Sequence, residues 1–110
     1  MANLPEKTII EIFDLQKQLF KIINNATAAD FNILEKYGET SETLPELEEL
    51  QNVKERAREA YIRLFRLLLS IGEAQPEINS STLELLYRAI KQADLTVDAL
   101  EVSIREIKNN

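Results

Sequence analysis

The chain has 110 residues, a formal charge of −6, 45% apolar and 29% charged residues, and no Cys, His or Trp. Area scaling lets a chain of this size bury about two-thirds of its unfolded surface, so a single domain over residues 1–110 can form a core without disulfides or a metal. Two Gly and three Pro leave little turn chemistry for an all-β fold, and the missing thiols and imidazoles remove the usual cysteine nucleophiles, histidine bases and zinc ligands.

Met1 to Lys7 has neither a basic nor an apolar run of the kind a signal peptide carries, and Leu67-Leu68-Leu69 is the longest apolar stretch. A cytoplasmic protein that does not enter a membrane is the expectation. The first helical signal is the seam Ile9, Ile12, Gln16, Leu19, Ile23, flanked by Phe13, Leu15, Phe20 and Ile22. Asn24-Asn25-Ala26-Thr27 lowers helix propensity, yet the register continues through Ala26, Asp30, Ile33 and Tyr37. One helix over about residues 5–37, stopped by Gly38, is therefore expected. The alternative breaks near Asn25 and gives four helices in all.

The second segment opens with Thr43-Leu44-Pro45-Glu46, a capping-box pattern with Pro in the first turn. Its seam is Leu47, Leu50, Lys54, Ala57, Tyr61, Leu64, Leu68 and Ile71. A helix over about 44–72 follows, with Gly72 suited to a left-handed C-terminal cap. The third segment starts at Ser81-Thr82-Leu83-Glu84, a second capping-box pattern. Its seam, Leu83, Leu86, Ile90, Ala93, Val97, Leu100, Ile104 and Ile107, is spaced alternately by three and four. That is a coiled-coil-like pattern over about 82–108.

Short connections make consecutive helices antiparallel, so the reading is an all-α, up-down-up antiparallel three-helix bundle. Centring the first turn near residue 41 brings Asp30 level with Lys54. Opposite charges at one level are what two half-buried seam residues require.

Charge is unevenly spread. Residues 39–53 hold five glutamates and no cation, whereas 54–72 hold Lys54, Arg56, Arg58, Arg63 and Arg66 against two glutamates. Acid at the start of a helix and base toward its end complements the helix dipole. The functional alternative is a weak nucleic-acid or anionic-surface binder using Arg56, Arg58, Arg63 and Arg66, but a net acidic chain is a poor candidate for phosphate binding. There is no glycine-rich phosphate loop or calcium loop. Carboxylate pairs such as Glu46/Glu49 and Asp94/Asp98 read as solvated helix faces. No enzymatic activity, cofactor or metal is expected.

One feature exceeds the needs of an isolated bundle. Beyond its seam the second helix carries Ile62, Phe65 and Leu69 on another face, and the third carries Leu95, Ala99 and Val102. Either a fourth helix covers the first group, using Phe31 and Leu34, or another polypeptide does. The favoured expectation is a non-enzymatic interaction module (adaptor, chaperone-like or regulatory) that forms a homodimer, or binds another helical protein, through Ile62, Phe65 and Leu69 with Leu95, Ala99 and Val102.

Overall fold

The computed structural model describes residues 4–109, so residues 1–3 of the segment read for targeting lie outside the described residues. It contains three helices: α1 (Glu6–Tyr37), α2 (Leu44–Gly72) and α3 (Ser80–Lys108). All three pairs pack against one another, and the short connections between consecutive helices turn α2 antiparallel to both neighbours. The rod measures 57 × 18 × 17 Å. None of the helices is long and apolar enough to cross a membrane.

α1 runs unbroken through residues 24–27, so the four-helix alternative is not what forms. Ala26, in the middle of that stretch, is fully buried. The Thr27 hydroxyl is absorbed locally, donating to the Ile23 carbonyl at 2.8 Å, a back-bond that lets threonine sit inside a helix. Continuous burial of one face outweighs the low propensity of Asn24, Asn25 and Thr27. Helix boundaries otherwise agree with the apolar pattern, except that α3 begins at Ser80 rather than at about 82.

Seam residues make the core. Ile12, Leu19, Leu50, Leu64, Leu86 and Leu100 are completely buried, interleaved with the small Ala26, Ala57 and Ala93. Tyr37 departs from its seam assignment: at the last turn of α1 it is 68% exposed, because the bundle ends there. The Lys54 ammonium lies 3.8 Å from the Asp30 carboxylate, joining α2 to α1 at the expected level.

The helix ends correct three expectations. Neither capping box forms. Thr43 makes no capping bond to α2; its hydroxyl instead donates to the Gly38 carbonyl at 2.8 Å and accepts from the Thr40 amide at 2.9 Å, tying the first turn together. At α3 the cap is Asn79, whose side-chain oxygen accepts from the Ser81 amide at 2.7 Å, while Glu84 pairs with Arg88. Asn79 outcompetes Ser81 because an amide oxygen one residue before the helix reaches the orphan donors directly. Finally, Gly72 is the last residue of α2, and the left-handed glycine is Gly38, at φ 73°.

Candidate interaction face

Two anchors establish which helical edges face outward together. Lys54 reaches Asp30, so that side of α2 borders α1. Phe65 follows Lys54 by eleven residues, three turns plus about 20°, and lies on the same side. On α1, Phe13 lines a cavity of about 580 Å³ with Leu68 and Ile71 of α2. Phe20 and Phe31 follow Phe13 by seven and eighteen residues and share its edge. The Asp30–Lys54 pair also sets the levels: residue i of α1 stands opposite about 84 − i of α2. Phe20 is thus level with Leu64, beside Phe65, and Phe13 is level with Ile71, near Leu69.

The result is one apolar face built by two helices. Phe13, Phe20, Phe65 and Leu69 are 56, 62, 48 and 50% exposed. At about 200 Å² per aromatic side chain they present about 400 Å² of apolar surface, a patch size that in monomeric proteins commonly marks an interaction site. Toward the other end of the same face lie Phe31 and Leu44, also exposed. Phe31 and Leu34 stand opposite about residues 53 and 50 of α2, too far along the rod to cover Ile62, Phe65 and Leu69.

The residues expected to form the interface are therefore only partly brought together. Phe65 and Leu69 stand on this face. Ile62 does not share their exposure: it is half-buried and lines a groove of about 490 Å³ between α2 and α3 with Leu67 and Leu85. Leu95, Ala99 and Val102 lie on the side of α3 turned away from its buried seam, where they cannot extend a patch on α1 and α2. Sequence reasoning grouped Phe13 and Phe20 with Leu15 and Ile22 as flanks of one seam. Leu15 and Ile22 are buried; the two phenylalanines, on the opposite flank, are the missed part of the site.

The basic patch divides as well. Arg56 and Arg63 line a groove between α2 and α3 together with Glu59, Gln92 and Thr96. Arg66 lines the adjoining groove, and Arg58, four residues after Lys54, lies toward α1. All four are exposed, and none has a carboxylate within 4.0 Å among the described residues. Glu59 stands within the groove that would have to receive a phosphate.

No cluster of three potential metal-ligating side chains occurs among the described residues. No family model, curated protein or solved structure matches the chain.

Proposed function

We infer that this chain is a non-enzymatic interaction module that associates with a second copy of itself through the face shared by α1 and α2. The observation carrying this reading is the convergence of Phe13 and Phe20 with Phe65 and Leu69, all about half exposed, at one end of a bundle whose core is already complete. Water contact with such a patch costs solubility, and covering it releases about 25 cal/mol per Å². A bundle fold alone carries no function, so the reading rests on this surface.

Light scattering coupled to size exclusion tests it. The expected mass is twice 12.6 kDa at micromolar concentration, falling to one subunit for Phe20→Glu and Phe65→Glu with helicity retained. A wild-type monomer over that range overturns the reading. Phosphate binding by Arg56, Arg58, Arg63 and Arg66 ranks second, because the acidic net charge and Glu59 both oppose it; titration with duplex DNA at low salt tests it directly.

A further inference from the structure

The geometry points to a specific arrangement of the two copies: antiparallel, about a twofold axis crossing the α1/α2 face at the level of Ala26 and Ala57. This inference rests on the association reading above and adds the partner's orientation. The carrying observation is the charge distribution at the margins of the face. On α1, Lys17 and Glu35 are eighteen residues apart, five full turns, and so occupy one edge. On α2, Glu48 and Arg66 are also eighteen apart and share the opposite edge. The midpoints of these pairs are residues 26 and 57. The Asp30–Lys54 contact places residue 26 of α1 level with residue 58 of α2, so both midpoints fall at one height of the rod.

A twofold axis at that height, in the plane of the face and perpendicular to the helices, lays each helix antiparallel on its counterpart. Lys17 then meets Glu35 of the second copy, and Arg66 meets its Glu48, each twice. None of these four side chains has an ion-pair partner within 4.0 Å inside its own chain among the described residues. Two exposed apolar pairs obey the same symmetry: Phe20 falls over Phe31, and Leu69 over Leu44. A parallel arrangement, which would stack Phe20 on Phe65, is opposed by charge. Lys17 and Arg66 stand at one level and Glu35 and Glu48 at another, so like would meet like. One side of the rod measures at most about 57 by 18 Å, room for the roughly 800 Å² per partner of a standard stable interface.

The chain has no cysteine, so one introduced thiol gives one label site. Spin labels on Glu73→Cys, beyond the end of α2 and exposed, are expected about 48 Å apart in the antiparallel dimer, against less than about 25 Å in a parallel one. Arg66→Glu and Glu48→Arg should each weaken the dimer by about tenfold, since each rim substitution changes two pairs. The double variant Glu48→Arg/Arg66→Glu should return to within about threefold of wild type. A dimer with the short label distance, or single reversals that tighten it, overturns the orientation and leaves association standing. A wild-type monomer overturns both.

Discussion

The ammonium of Lys54 and the carboxylate of Asp30 meet at 3.8 Å across the α1–α2 boundary, their side chains 21% and 27% exposed. Each occupies a position that elsewhere in its seam holds mostly Leu, Ile or Ala. Half-buried pairs of this kind do little for net stability, because desolvation offsets attraction, but they penalise any register in which either charge lacks its partner. Here the pair fixes the relative height of the two helices on which the outer face depends.

Removing either partner should be unequal in cost. Lysine left alone can carry its ammonium to water along a four-carbon stem, whereas aspartate cannot. Lys54→Met is therefore expected to cost about 1–2 kcal/mol and Asp30→Asn less than about 1 kcal/mol. The double variant Asp30→Leu/Lys54→Leu should be at least as stable as wild type. Urea unfolding followed by circular dichroism measures all three. Equal losses for the two single changes would show that the stem of Lys54 is held in place.

Gln16 is another polar residue in a seam, only 6% exposed, and its Nε2 has no hydrogen-bond partner among the described residues. A buried donor left unpaired costs about 1–3 kcal/mol. Gln16→Met keeps the unbranched shape and removes the donor. It should raise stability by about 1 kcal/mol, or about 4–8 °C in the melting temperature of a domain this size. A fall in melting temperature would mean the amide is satisfied in solution.

Most of the fold was legible because burial, not capping, determines where these helices run. Each seam repeats without a phase break, and the breakers Gly38 and Pro76 fall between segments, so both ends of α2 could be read. The caps were less accessible: Asn79, Ser80 and Ser81 all carry side chains able to cap, and their competition is settled by backbone angles that composition does not encode. On α1 the signal for the outer face was present. Leu15 and Ile22 are seven apart on one flank of the seam, Phe13 and Phe20 seven apart on the other. Periodicity gives both flanks equal weight; only the placement of α3 leaves the second uncovered.

The first turn offers a sharp contrast between two residues of one motif. Thr43→Val deletes the hydroxyl that bonds both the Gly38 carbonyl and the Thr40 amide, and should cost about 1–2 kcal/mol. Glu46→Ala should cost less than about 0.5 kcal/mol, since the glutamate has no capping partner to lose. Thermal melts of the two variants decide it, and a larger loss at Glu46 would indicate that the capping box forms in solution.

The separation of the apolar residues into different faces yields the last prediction. Leu95 is 62% exposed and Val102 45%, values close to those of Phe20 and Phe65, so exposure alone would rank all four as interface residues. Position distinguishes them. Phe20 and Phe65 adjoin one another across the α1–α2 boundary, whereas Leu95 and Val102 project from α3 with no exposed apolar partner on α2's outer face beside them. Leu95→Lys and Val102→Lys should leave the subunit mass, the helicity and the melting temperature unchanged within about 0.5 kcal/mol, as isolated surface substitutions do. Phe20→Glu should abolish association under the same conditions, since a carboxylate at the centre of a covered apolar patch has no partner there. Sedimentation velocity on the three variants separates the cases: loss of the dimer on changing Leu95 or Val102 would move the interface to α3.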